Sequence, residues 1–304
     1  MNGVFSRCLY IMCAVAVVAA TGCGSGGNRP PAFDGNRALT LLQQQVALGP
    51  RTPGSESWQA FQTMLRRLCD SLGIAGTTQV FTYNDYLTGN TISLANWIVS
   101  INPGERDRVL VAAHYDSRPR ADRDPDSTRR NLPIPGANDG ASGSAMLMHL
   151  MELLSTHPPR IGVDLVFFDG EDYGPSGKLD QYLLGSTYFA AHSPNRYRYG
   201  ILLDMIGDRD LRIYREGYSE RYAWEIDDKV WKTAARLGAT AFVDSVGTEV
   251  IDDHIPLVGA GIPMIDIIDF DYPYWHTTAD TPDKCSAASL EAVGRVVMEV
   301  IYGE

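Results

Sequence analysis

Basic residues are scarce in this chain of 304 residues, which has 26 Lys and Arg against 37 Asp and Glu and a formal net charge of −11. This deficit argues against a nucleic-acid-binding function, because phosphate backbones are bound by basic surfaces. The sequence also lacks internal repeats. Its hydrophobic fraction of 44% is enough for a substantial core, and its length fits one large domain or two small ones.

A long hydrophobic run is missing too. The apolar segment LYIMCAVAVVAA at residues 9–20 is short for a membrane-spanning helix. Arg7 precedes it and the small residues of ATGC (20–23) follow it, which predicts a secretory signal over residues 1–22. The residues directly before Cys23 resemble a bacterial lipobox, so we predict a lipid on Cys23 and an exported protein held on the periplasmic side of a bacterial membrane. The alternative is an ordinary cleaved signal followed by an incidental cysteine.

Cysteine is rare after this signal. Three of the five cysteines belong to the predicted signal or to the lipid site, which leaves Cys69 and Cys285. An oxidising compartment permits a disulfide bond between them. The sequence leaves open whether they form this bond or remain two separate buried thiols.

Residues 23–35 are predicted to form a flexible tether, and residues 36–304 a single catalytic domain. Within this domain, segments with helical spacing alternate with short apolar runs of the kind found in buried parallel strands. This alternation predicts an α/β fold with a mixed, mostly parallel central sheet and helices on both faces. The runs are RVLVAAHYDS (108–117), GVDLVFFDGED (162–172), YGILLDMIGD (199–208) and IPMIDIIDF (262–270).

Polar side chains follow these runs where the strands are expected to end. Open α/β sheets bind ligands at the carboxyl ends of their strands. In VFFDGEDYG (166–174), three acids occur within four positions, and their mutual repulsion is relieved if a cation lies nearby. One histidine with two or three carboxylates is typical of a zinc site. Taken singly, Asp139 could instead cap a helix, Asp204 could belong to a turn, and His276 could be a core histidine.

The motif order HYDS, GANDGASG, FFDGED, LLDMIGD, DDHIPL and WHT resembles the zinc aminopeptidase superfamily. It is more closely similar to the glutaminyl cyclases (glutaminyl-peptide cyclotransferases) of the animal and bacterial-lipoprotein type, over about residues 36–304. The resemblance implies an α/β-hydrolase-like fold, a cis peptide bond after Asp139 and one Zn²⁺ ion. The implied zinc ligands are Asp139, Asp172 and His276. The implied catalytic residues are Glu171, as general acid and base, and Asp204 and Asp252, which lie near the substrate amine. The residues expected to contact the substrate are Trp275, His114 and Tyr274.

Two departures from the family pattern affect the expected pocket. The second acid of the pair is Glu in the animal enzymes and Asp172 here, so the backbone must offset its shorter side chain. The animal enzymes also have a Trp shortly after the acid pair, whereas YGPSGKLDQYLLGS (173–186) has none. That wall of the pocket must therefore be built by other residues.

The resemblance implies cyclisation of an N-terminal glutamine of peptides or proteins to pyroglutamate with release of ammonia, by a protein that we expect to be a monomer. The alternative is a two-zinc aminopeptidase that removes N-terminal residues. All five of its ligand types are present, as His114, Asp139, Asp172, Asp204 and His276.

Two features favour the cyclase over the aminopeptidase. Asp252 stands where the aminopeptidases usually have Ser, and a proton shared with Asp204 would make Asp204 a poor metal ligand. The bulky residues of YPYWHT (272–277) suit a narrow pocket for one small side chain, although they could also be core packing. A non-catalytic relative is the third possibility.

Overall fold

The computed structural model of the chain describes residue 1 and residues 29–85, 88–193 and 195–304. The predicted signal, the lipid site at Cys23 and most of the tether lie outside these described residues. Phe33 is buried, with its ring 4.6 Å from that of His149 and against Gly294. Within the described ranges, no helix is both long enough and apolar enough to cross a membrane.

A six-stranded mixed sheet forms the centre of the fold. The strands of the described chain are β1 (Gly76–Asp85), β2 (Asn90–Ile101), β3 (Arg108–His114), β4 (Gly162–Phe168), β5 (Gly200–Asp204), β6 (Ile213–Arg215), β7 (Phe242–Val246) and β8 (Met264–Ile268). The main sheet has the order β1-β2-β4-β3-β5-β8. Strands β4, β3, β5 and β8 run parallel to one another, β2 is antiparallel to its neighbour β4, and β1 is antiparallel to β2. Strands β6 and β7 form a separate parallel pair. The predicted mixed, mostly parallel sheet is confirmed.

Helices cover both faces of this sheet, as predicted. Along β3, Val109 and Val111 enter the larger core, while Leu110 and Ala112 enter the smaller core on the other face. Helices α1, α2, α3, α6 and α8 pack on the first face, and α4 and α7 on the second. The helices are α1 (Gly35–Val46), α2 (Glu56–Leu72), α3 (Ala141–Thr156), α4 (Leu184–His192), α5 (Gly217–Tyr222), α6 (Trp224–Leu237), α7 (His254–Gly259) and α8 (Ala287–Tyr302).

The two cysteines of the domain do not form a disulfide bond. Cys69 lies in α2 and Cys285 lies shortly before α8, and both are buried free thiols. Burial raises the pKa of each thiol above its usual value. The possibility that the sequence left open is therefore decided in favour of two separate thiols.

The carboxylate of Glu216 connects three elements beneath the sheet edge. It accepts hydrogen bonds from the backbone N–H groups of Tyr218 and Ser219 at the start of α5, and from that of Val250. The Nε2 atom of His254 lies 3.2 Å from its Oε2 atom. Burial alone would raise the pKa of Glu216, but His254 and the backbone donors outweigh it and lower the pKa to about 2.

We predict that Glu216→Gln lowers the free energy of unfolding at pH 7 by about 2–3 kcal/mol, because charge-assisted hydrogen bonds to a buried group are lost. The folded-state pKa lies below the unfolded value, so this contribution is present above about pH 4.5 and decreases as the pH falls toward 2. Urea unfolding from pH 7 to pH 3 should show the difference from wild type shrinking. The exposed control Glu225→Gln should differ by less than about 0.5 kcal/mol. An undiminished difference at pH 3 would contradict this assignment.

Candidate active site

The carboxyl ends of the parallel strands meet at one edge of the sheet and open into a cavity of about 360 Å³. Seven of the nine predicted site residues line it: Asp139, Glu171, Asp172, Asp204, Asp252, Trp275 and His276. The other two are placed differently from our expectation. His114 is buried below the cavity floor, and Tyr274 packs on Tyr272 with Lys284 over its ring. Direct contact of these two side chains with a substrate is not supported by their positions.

Asp139, Asp172 and His276 form a buried cluster at the base of the cavity. The Nε2 atom of His276 lies 3.4 Å from Asp172 Oδ1 and 3.7 Å from Asp139 Oδ2. The Oδ2 atoms of both aspartates are buried and have no hydrogen-bond partner among the residues that the structure describes. Such unpartnered oxygens are costly unless a cation compensates them. Two carboxylates and one imidazole, each with one donor atom within 4.8 Å of the others, fit a zinc ion.

Asp280 holds Asp139 in position. Its carboxylate accepts hydrogen bonds from the backbone N–H groups of Asn138 (2.8 Å) and Asp139 (3.2 Å), and Tyr272 donates its hydroxyl (2.7 Å). Gly140 then takes a φ of 94°, which turns the chain into α3. The side chain of Asp139 does not cap this helix, and the expected cis bond after it was wrong: the peptide bond is trans, and Gly140 makes the turn.

The three acids after β4 have three different environments. Asp169 is structural: it is fully buried and accepts hydrogen bonds from the indole of Trp58 and the backbone of Ala95. Glu171 lines the cavity, and Asp172 belongs to the buried cluster. A single turn thus directs neighbouring carboxylates to separate sites, which explains how they are tolerated so close together.

Asp116, to which the sequence assigned no role, fixes this turn. Its Oδ1 and Oδ2 atoms accept hydrogen bonds from the backbone N–H groups of Glu171 and Asp172, at 3.1 and 3.2 Å. The side chain of Asp116 is fully buried. The only sequence signal for it is its position two residues after the end of β3, among the other polar residues of that sheet edge.

Electrostatics distinguish the acids and the histidine of the cavity. Burial, reinforced by Asp172, raises the pKa of Glu171 well above its usual value. Burial and the charge of Asp204 raise the pKa of Asp252 to about 6. Burial lowers the pKa of His276, but Asp172 and other carboxylates outweigh it and raise the pKa to about 9. Burial of Asp172, in contrast, is outweighed by the charges of His276 and Arg118, which lower the pKa of this residue.

A second group of possible metal ligands adjoins the first. The Nε2 atom of His114 lies 3.3 Å from Asp139 Oδ1 and 3.2 Å from Asp204 Oδ1. Its Nδ1 atom lies 3.5 Å from Asp116 Oδ1. The carboxyl of Asp266 is also buried near Asp252, and burial together with the charge of Asp252 raises the pKa of Asp266 well above its usual value.

Aromatic and apolar side chains form the walls of the cavity. The ring of Trp275 lies 5.1 Å from that of Phe270, and the guanidinium of Arg123 lies 4.4 Å above Trp275. The segment after the acid pair, in which the sequence has no Trp, contributes Leu179 and Tyr182 to the cavity lining. Tyr182 therefore provides an aromatic ring from this segment.

Residues 96–301 match the family model described as Peptidase family M28. The chain is similar to the solved glutaminyl cyclase of Bacteroides thetaiotaomicron bound to N-acetylhistamine, with 37% identity, a TM-score of 0.87, and coverage of 91% of this chain and 100% of that one. It is also similar to a leucine aminopeptidase precursor from the same organism, with 37% identity, a TM-score of 0.87, and coverage of 90% and 98%. A mouse glutaminyl-peptide cyclotransferase-like protein is 24% identical in an alignment of 278 residues that covers 81% of this chain and 70% of that protein. These matches confirm the resemblance seen in the motifs: the chain belongs to peptidase family M28 and shares its fold with bacterial glutaminyl cyclases and zinc exopeptidases.

Proposed function

We propose that this protein is a zinc-dependent glutaminyl-peptide cyclotransferase, which converts the N-terminal glutamine of peptides or proteins to pyroglutamate. The observation that carries the proposal is the position of Glu171, whose raised pKa suits proton transfer, in the same narrow cavity as the cluster of Asp139, Asp172 and His276. Similarity to glutaminyl cyclases over nearly the whole chain supports it.

Asp139, Asp172 and His276 are proposed to hold the zinc ion. Their unpartnered oxygens and the imidazole are the donor types that zinc prefers. A zinc ion bound there supplies Lewis-acid polarisation of a carbonyl group. Asp280 and Asp116 keep the ligand loops in place from outside the cluster.

The remaining chemistry is assigned to the side chains of the cavity. The substrate α-amine, whose pKa is about 8 when free, forms a bond to its own side-chain amide carbon, and the bond to the amide nitrogen breaks. Glu171 accepts the proton of the amine and donates it to the departing ammonia, so that no water is consumed. Asp204 and Asp252 orient the amine, and Trp275 packs beside the substrate. The attack is intramolecular, which removes much of its entropic cost.

We propose one zinc ion per chain. The Nε2 atom of His114 lies within hydrogen-bond distance of Asp139 Oδ1 and Asp204 Oδ1, so these oxygens already have a partner. The aminopeptidase remains the second candidate, because His114, Asp139 and Asp204 could together hold another ion. Relatives named as an aminopeptidase and an exopeptidase also share the fold.

Product analysis distinguishes the two candidates. We predict that purified protein releases one ammonia per molecule of a Gln-Ala peptide and releases no free amino acid from Leu-Ala. The reason is that the substrate amine, rather than water, attacks the carbonyl carbon. Release of free leucine at a comparable rate would favour the aminopeptidase, and release of neither product would favour a non-catalytic relative.

Two variants should separate proton transfer from metal binding. We predict that Glu171→Gln retains a full equivalent of zinc but loses about 10²–10⁴-fold in kcat, because a general acid and base is removed. His276→Ala should lose the bound zinc, as measured by metal analysis after gel filtration. The controls Glu105→Gln and His192→Ala change exposed residues and should leave both zinc content and kcat unchanged. Near-wild-type turnover in the first variant, or full zinc in the second, contradicts the corresponding role.

We also propose that the protein is exported, functions as a monomer on the periplasmic side, and is attached to a bacterial membrane through a lipid on Cys23. The proposal is supported by the signal-like residues 1–22 and by the small residues before Cys23. We predict that Cys23→Ala moves the protein from the membrane fraction to the soluble fraction of cells, while Cys69→Ala does not. Equal membrane association of both variants would contradict the anchor.

A further inference from the structure

The loop after β3 carries two side chains, those of Arg118 and Asp122, that contact residues of the proposed zinc-ligand cluster. Arg118 has a fully buried side chain, and its Nη1 atom donates to Asp172 Oδ1 (2.5 Å) and to the backbone carbonyl of Asp172 (3.3 Å). Its Nε and Nη2 atoms donate to the two carboxylate oxygens of Asp122, at 3.1 and 2.6 Å. Nη2 also donates to the hydroxyl of Tyr182. All three guanidinium nitrogens are therefore engaged in hydrogen bonds to protein groups.

Asp122 extends this arrangement to the histidine of the cluster. Its Oδ1 atom lies 3.6 Å from the Nδ1 atom of His276. A carboxylate on this side favours a proton on Nδ1 and leaves Nε2 free for a metal ion. Nε2 is the atom that faces Asp139 and Asp172. One arginine and one aspartate thus contact two of the three proposed ligands.

The contacts of Arg118 and Asp122 determine which ligand atoms of Asp172 and His276 remain free to bind a metal ion. Arg118 occupies Oδ1 of Asp172, while Oδ2 of the same carboxylate is buried without a partner. Asp122 lies on the Nδ1 side of His276. Each ligand is left with one free donor atom, so the pair favours binding through a single oxygen and a single nitrogen. Arg118 also donates to the backbone carbonyl of Asp172, so it contacts both the main chain and the side chain of this residue.

We propose that Arg118 and Asp122 act as one positioning pair that sets the zinc affinity and the ligand geometry of this centre. In this proposal the pair orients Asp172 through hydrogen bonds and His276 through the Asp122 carboxylate, which lies 3.6 Å from Nδ1, and it takes no part in proton transfer. The inference rests on the metal site of the proposed function, but not on the cyclisation reaction. Partners that orient metal ligands typically contribute 10–100-fold to metal affinity.

A purely electrostatic role of these charges makes different predictions. If Arg118 acted only through its charge, Arg118→Lys would bind zinc like the wild type, because the charge is kept. A lysine cannot reach Asp122, Asp172 and Tyr182 at once, since it lacks the planar fork of donors. The positioning role therefore predicts weaker binding in this charge-conserving variant.

The test measures the dissociation constant of Zn²⁺ by competition with a chromophoric chelator. We expect Arg118→Lys and Asp122→Ala each to raise it 10–100-fold, and the double variant to be less than additive because the residues act together. The control Arg120→Lys lies in the same loop, bonds only the carbonyl of Tyr173, and should stay within about threefold of wild type. The visible spectrum of Co²⁺-substituted protein should change in the two variants but not in the control.

The outcomes separate this inference from the proposed function. The melting temperatures of the metal-free variants should match that of the metal-free wild type, which excludes a general folding defect. If Asp122→Ala does not fold, the isosteric Asp122→Asn takes its place. Wild-type zinc affinity and an unchanged Co²⁺ spectrum in Arg118→Lys and in the Asp122 variant overturn the positioning pair alone. A wild-type chain that binds no zinc overturns both the pair and the proposed metal centre.

Discussion

The architecture of this protein depends on how buried carboxylates are compensated at the carboxyl edge of the sheet. The carboxylates of Asp116 and Asp280 each accept two hydrogen bonds from backbone N–H groups, and these bonds also hold the donating loops in place. Asp172 is met by Arg118 on one side only, and its second oxygen, like that of Asp139, has no partner among the described residues. The carboxylates of Asp122, Asp139 and Asp172 lie together here, and among these three described groups the guanidinium of Arg118 contacts only Asp122 and Asp172, which leaves an excess of acidic groups. A divalent cation would balance this excess, which is why the unpartnered oxygens carry the metal assignment.

The cations that compensate these carboxylates also distinguish the aminopeptidase reaction from the cyclase reaction. An aminopeptidase needs two cations and an attacking water, whereas a cyclase needs one cation and a substrate amine held beside a base. In this chain, the Nε2 atom of His114 lies 3.3 Å from Asp139 Oδ1 and 3.2 Å from Asp204 Oδ1, so these three side chains form a second group of possible cation ligands. Asp252 adds another acid whose pKa is raised to about 6 by burial and by Asp204. These groups describe a cavity suited to an amine, although the ligand types of both reactions are retained.

Much of the site was visible in the sequence, because strand ends are local signals. Apolar runs that stop at polar residues predicted the four parallel strands, and the side chains at their ends supplied seven residues of the cavity. The supporting residues were not predicted. Arg118 and Asp122 belong to a charged loop without periodicity, and Asp280 lies far along the chain from the backbone that it holds. Their roles depend on contacts between distant segments, for which a single sequence has no signal. For the same reason, adjacency to Trp275 does not determine where the ring of Tyr274 lies, and this ring packs against Tyr272.

The sequence by itself determined the fold class, the family and the chemical type of the site, since the hydrophobic pattern and the order of the polar motifs are properties of the chain. Only the tertiary structure decided which atoms remain free to bind a ligand. It gave Asp169 two hydrogen-bond donors and left Asp172 Oδ2 with none, although these acids are three positions apart. It also kept Cys69 and Cys285 as separate thiols. The physical reason is that hydrogen-bond satisfaction in a buried site is set by the orientation of loops from several strands, and this orientation exists only after the sheet has assembled.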